Sequence, residues 1–135
     1  MTQNDTEYVL LAGRHHGLSE GMRGLLETAF SVVVMIADET SLLASARNLP
    51  ANLAVVDMSL AREDGLRLLG RLHELRPTMK LILISDYDET SVSQSALAAG
   101  ADGFVLRRAI ATDLLSAVDA VRAGRRFVSP SVLTR

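Results

Sequence analysis

Asp57 closes the apolar run Leu53-Ala54-Val55-Val56 and opens the string Asp57-Met58-Ser59-Leu60-Ala61-Arg62-Glu63-Asp64-Gly65. A carboxylate at the carboxyl tip of a buried strand sits where open α/β sheets gather their chemistry. Two later apolar runs end in polar groups of other kinds, Ser85 and Arg107. An acid, a hydroxyl and a cation on adjacent strand tips suit an anion such as a phosphoryl group. The carboxylate can accept it while the hydroxyl and the cation hold its oxygens. The alternative is that the three groups merely cap strand ends. After the first apolar run the chain offers no acid and reads Gly13-Arg14-His15-His16.

Short apolar runs alternate with amphipathic stretches along the whole chain. Tyr8-Val9-Leu10-Leu11-Ala12 reads as a first buried strand, followed by Leu18, Met22, Leu25, Leu26 and Ala29 at helical spacing. Residues 31–36 are rich in β-branched side chains and give a second strand. Further strands are expected at 53–56, 81–84 and 103–106, and helices at 40–49, 66–75, 89–99 and 112–123. The helix over 89–99 carries few and small apolar residues, so it should pack less firmly. Five βα units in succession imply a doubly wound parallel sheet of five strands in the order 2-1-3-4-5. Strands buried on both faces read as unbroken apolar runs, as these do. The domain is expected over 8–124, with a disordered tail at 1–7 and a linker beginning at 125–135.

Composition limits the function. The 135 residues suit one core, and 48% hydrophobic content is too high for disorder. A net charge of −2 provides no general attraction to nucleic acid. Without cysteine there are no disulfides, thiolate metal sites or Cys nucleophiles. The polar start is unlike a signal peptide, and no apolar run approaches the ~20 residues that span a bilayer. A cytoplasmic domain is expected. His15-His16 could ligate a transition metal, but neighbouring loop residues rarely face one ion. Gly13, Gly17 and Gly21 do not make a phosphate loop, and no nucleophile elbow is present. Gly21 is expected to permit close packing of the first helix. Arg122, Arg125 and Arg126 read as a solvated helix end rather than a DNA-reading element.

From residue 8 to about residue 130 the order and spacing of these features resemble a response-regulator receiver domain, specifically the NarL/FixJ (LuxR-type) subfamily. The resemblance is carried by Val9-Leu10-Leu11-Ala12 with Glu20-Gly21-Met22-Arg23-Gly24-Leu25-Leu26-Glu27 and by Asp57 through Asp64-Gly65. It continues through Gly100-Ala101-Asp102-Gly103-Phe104-Val105-Leu106 and Ala123-Gly124-Arg125-Arg126-Phe127-Val128-Ser129-Pro130. It implies a flavodoxin-like (βα)5 fold without enzymatic activity. Asp57 would stand at the phosphoacceptor position, and Ser85 and Phe104 at the switch positions, although Phe104 could equally be a core aromatic. It also implies homodimerisation, a histidine kinase as possible partner, and DNA contact only through an output domain outside this chain.

The sequence departs from that pattern in the pocket. The family's acid pair falls on Gly13 and Arg14, its lysine falls on Arg107, and Leu60 and Ala61 replace the usual Met and Pro. Phosphoryl transfer to a carboxylate brings anions together, and Mg²⁺ ordinarily relieves the repulsion. An Arg14 charge ~5 Å from such an ion would cost about 6–7 kcal/mol at an effective dielectric near 20. Asp64 and Asp86 are the candidate replacement acids. The sharper expectation is that Arg14 and Arg107 pair with Asp57 and Asp86, placing a guanidinium where a metal would stand. On that reading there is no cofactor, Mg²⁺ binding is weak or absent, and the receiver is atypical. Two alternatives stay open: ordinary phosphorylation on Asp57, or sensing of a small anion or metabolite by Arg14, Arg107 and Ser85.

Overall fold

The computed structural model describes residues 7–61 and 64–132. Each apolar run forms a strand: β1 (Tyr8–Ala12), β2 (Val32–Ile36), β3 (Leu53–Asp57), β4 (Lys80–Ser85) and β5 (Gly103–Leu106). The amphipathic stretches between them form α1 (His16–Leu26), α2 (Glu39–Asn48), α3 (Gly65–Leu75), α4 (Thr90–Ala98) and α5 (Ile110–Arg122). All strand pairings are parallel. The apolar faces of α2, α3 and α4 cover one side of the sheet, where Leu42, Leu69 and Phe104 are fully buried. Those of α1 and α5 cover the other, around Met22, Leu26, Leu114 and Val118. No helix among the described residues is long and apolar enough to cross a membrane.

The expected strand order 2-1-3-4-5 is present, and the sheet carries one further strand at its β5 edge. Phe127–Val128 adds a short strand, β6, giving the order β2-β1-β3-β4-β5-β6. The residues expected to begin a linker therefore pack on the domain as far as Val132, which is 6% exposed within the core. Ser129 fixes this segment from both sides. Its N–H donates to the Phe104 carbonyl at 2.9 Å, and its hydroxyl accepts from the Leu106 N–H at 3.0 Å. At the other terminus, Glu7 also belongs to the fold. Its carbonyl accepts from Ser31 and Val32, and its carboxylate pairs with Arg122 at 2.7 Å. The rest of the expected tail, 1–6, lies outside the described residues.

Local chemistry explains the helix boundaries. Asp38 caps α2, its carboxylate accepting from the Ser41 N–H at 2.8 Å. That bond, with a second from the Ser41 hydroxyl, holds the Asp38 carboxyl below its ordinary range. Asp64 caps α3 in the same way through the N–H groups of Leu66 and Arg67. Arg76, just past α3, reaches across to the carboxyl end of α2. Its guanidinium donates to the carbonyls of Ala46, Leu49 and Ala51 at 2.8–3.0 Å, supplying donors that a helix C-terminus lacks. Gly100 ends α4 at φ +122°, where a Cβ would also press within 3.1 Å of His73. As expected, α4 is lightly anchored, burying only Ser93 and Ala96.

Gly21 does not have the role expected of it. It is exposed, and a Cβ built there meets nothing within 4 Å, as is also true of Gly17 and Gly24 on the same helix. Among the described residues these glycines serve no packing purpose.

Candidate functional site

Parallel pairing brings the carboxyl ends of β3, β4 and β5 to one rim, because Asp57 stands opposite Ile84 and Ser85 opposite Leu106. Asp57 ends β3 with 1% exposure. Its Oδ1 accepts from the Ser59 N–H at 3.0 Å and forms a close ion pair with Arg107. Arg107 follows β5, and its guanidinium makes a second close ion pair with Asp86 in the β4–α4 loop. Burial of Arg107 by itself would lower its pKa. The hydrogen bond to Asp86 and the charge and hydrogen bond of Asp57 outweigh that effect and hold the guanidinium above its ordinary range.

One cation thus ties together a strand tip, a neighbouring loop and the start of the α5 segment. Arg108 adds a parallel tie, pairing with Asp88 of the same loop at 3.1 Å. Tyr87, between the two acids, is left 57% exposed. Ser85 is completely buried, and its hydroxyl accepts from the Tyr87 N–H at 3.0 Å. Phe104 is fully buried among core side chains. Asp57 Oδ2 and Arg107 Nε are buried without a hydrogen-bond partner among the described residues, so the pair is not saturated.

The structure therefore joins Asp57, Asp86 and Arg107 and leaves Arg14 apart. Arg14 is exposed and forms no ion pair among the described residues. The expectation that it would pair with Asp57 or Asp86 is corrected on this point. The chain leaves β1 through Gly13, whose N–H donates to the Ile36 carbonyl at 3.0 Å. Arg14 follows on the exposed turn before α1. In water it is screened, and the 6–7 kcal/mol repulsion estimated for a nearby cation does not apply. Asp64, the other candidate acid, is spent on capping α3. Gly13 is buried against Asp57, with the Asp57 Cβ 3.4 Å from where its own would lie. His16 is exposed, 3.9 Å from Glu20 one helical turn on.

One residue, Ser19, and one pairing, Arg108 with Asp88, were not expected from the sequence. Ser19 of α1 is 5% exposed, and its Oγ lies 3.0 Å from where a Gly13 Cβ would stand. A small polar residue on the otherwise apolar face of α1 was the available signal. The Arg108–Asp88 tie was hinted at by Asp86-Tyr87-Asp88 facing Arg107-Arg108 on the next strand tip.

The family model described as "Response regulator receiver domain" matches residues 9–119. The transcriptional activator protein ExaE of Pseudomonas putida is 29% identical over 131 residues, covering 97% of this chain and 58% of that protein. The isolated REC domain of RcsB from Salmonella enterica serovar Typhimurium, with the phosphomimetic BeF₃⁻, superposes with a TM-score of 0.83. It is 27% identical and covers 96% of each chain. A structure of two RcsB dimers bound to two parallel DNAs gives a TM-score of 0.81 at 26% identity, covering 96% of this chain and 66% of that one. The chain spans about two-fifths to three-fifths of the length of the curated relatives it matches. The sheet order, the rim at its carboxyl edge and the match over 9–119 lead to one assignment: this chain belongs to the response regulator receiver domain family.

Proposed function

We propose that this domain is an atypical receiver of a LuxR-type transcriptional regulator, held in one state by its own arginine rather than switched by Mg²⁺-dependent phosphorylation. The observation that carries this reading is the Arg107 bridge from Asp57 to Asp86. The cation occupies one carboxylate oxygen, and the other is buried. Mg²⁺ requires several hard oxygen ligands in near-octahedral array. Here the available donors fit it poorly, since neither Gly13 nor Arg14 carries a side-chain oxygen.

Such a domain acts through protein contacts: a homodimer, and control of a DNA-binding output domain in a longer protein. The structure of RcsB dimers bound to DNA supports that role by likeness. Incubating the chain with Mg²⁺ and acetyl phosphate, followed by intact-mass analysis, tests the reading. The expected result is no acyl phosphate on Asp57. The combined variant Gly13→Asp, Arg14→Asp, Arg107→Lys, with Ser19→Ala to clear the space a Gly13 Cβ needs, should gain Mg²⁺-dependent labelling. Ready labelling of the unaltered chain at Asp57 would favour the ordinary receiver instead.

A further inference from the structure

We propose that a pocket at the amino end of α1, beside the acceptor position but outside the Asp57–Arg107 pair, binds a small phosphate-type oxyanion. The pocket has a volume of about 170 Å³, and Gly13, Arg14, His16, Ser19 and Glu20 line it. Three features there are anion-binding in character. The first is the helix end itself: the N-cap residue His15 makes no side-chain cap bond, and the first turn of α1 contains no acid. The N–H groups of its opening turn and the positive end of its dipole are therefore left without an internal counterpart.

The second feature is Ser19. Its N–H is used by the helix, donating to the His15 carbonyl at 2.9 Å. The residue is only 5% exposed, and its hydroxyl opens on the pocket without a hydrogen-bond partner among the described residues. The hydroxyl oxygen is not among the fully buried, unpaired side-chain atoms, so it meets solvent in the pocket and is available to donate to a ligand. The third is Arg14, whose charge meets no carboxylate among the described residues. The acid at the rim, Glu20, is already committed to a close ion pair with Arg23.

Gly13 is what leaves the Ser19 hydroxyl open. A Cβ at that position would come within 3.0 Å of Ser19 Oγ. Backbone N–H groups, a hydroxyl and a guanidinium on one small concavity form a donor-rich set, matched by a tetrahedral oxyanion and too small for a nucleotide. The site shares no side chain with the Arg107 bridge, so it stands or falls separately from the proposed receiver state.

The test is an amide-shift titration of the ¹⁵N-labelled chain with inorganic phosphate, ionic strength being held constant with chloride. Glycerol 3-phosphate in a parallel arm separates free phosphate from phosphate carried on a small metabolite. The amides of residues 16–19 should move together on one saturating curve in at least one arm. The variant Arg14→Gln, Ser19→Ala should bind at least tenfold more weakly, while Arg107→Lys should leave binding unchanged. Shifts that never saturate, undiminished affinity in the double variant, or binding lost in Arg107→Lys instead would each overturn the proposal.

Discussion

Replacing Arg107 with methionine removes the cation from a carboxylate that is 1% exposed. Among the described residues, the other hydrogen bond to Asp57 is from the Ser59 N–H. Breaking a buried pair from one side typically costs about 3–5 kcal/mol, because a charge is left desolvated and unanswered. Asp57 meets that condition fully. Arg107 is 20% exposed, and its second partner, Asp86, is 66% exposed and returns to water without penalty. The lower end, about 3 kcal/mol, is therefore expected for Arg107→Met. Asp57→Asn should cost less, about 1–2 kcal/mol, since the guanidinium keeps Asp86 and its access to solvent. The double variant should be more stable than the sum of the two losses, with a coupling of about 1–2 kcal/mol. Urea unfolding at neutral pH measures all four proteins, with the slope of stability against urea unchanged across the set. An Arg107→Met variant within about 0.5 kcal/mol of the parent, or strictly additive losses, would refute the picture of a buried, mutually dependent pair.

Other outcomes follow from the same structure. Arg76→Met removes a donor from the carbonyls of Ala46, Leu49 and Ala51, of which Leu49 keeps the Ala51 N–H; a loss of about 2–3 kcal/mol is expected, with faster amide exchange at the end of α2. Gly21→Ala should stabilise the chain by about 0.5–1 kcal/mol, read as a higher melting temperature, because the site is helical and open. Since the Asp38 carboxyl is held below its ordinary range in the folded chain, its contribution is complete above the unfolded carboxylate pKa and is lost as pH falls through the folded value. The stability gap between the parent and Asp38→Ala, measured in urea, should therefore be largest near neutrality and close in acid.

The alternation of apolar runs with helical periodicity was sufficient to read the order and type of the five βα units. Burial of a strand on both faces leaves its interior apolar, a local property of the chain, although β2 at the sheet edge is apolar with only Ile36 buried. β6 was not legible. Phe127–Val128 is only two residues long, and its pairing depends on β5 offering a free edge and on Ser129 meeting Leu106 in space. The Arg76 cap was hidden for a similar reason, since its acceptors lie 25–30 residues earlier in the chain.

The candidate site divides in the same way. Sequence by itself determined that Asp57 ends a buried strand, that no acid follows β1 and that Arg107 follows β5, because each is a matter of residue type against a local pattern. It could not determine which arginine answers Asp57. Arg14 and Arg107 are equivalent in charge and both follow a strand. Only the tertiary structure decides between them: Arg107 lies across the rim with its guanidinium between two carboxylates, whereas Arg14 is exposed to water at the start of α1. Strength of pairing depends on distance and desolvation, and both are set by how the chain is packed.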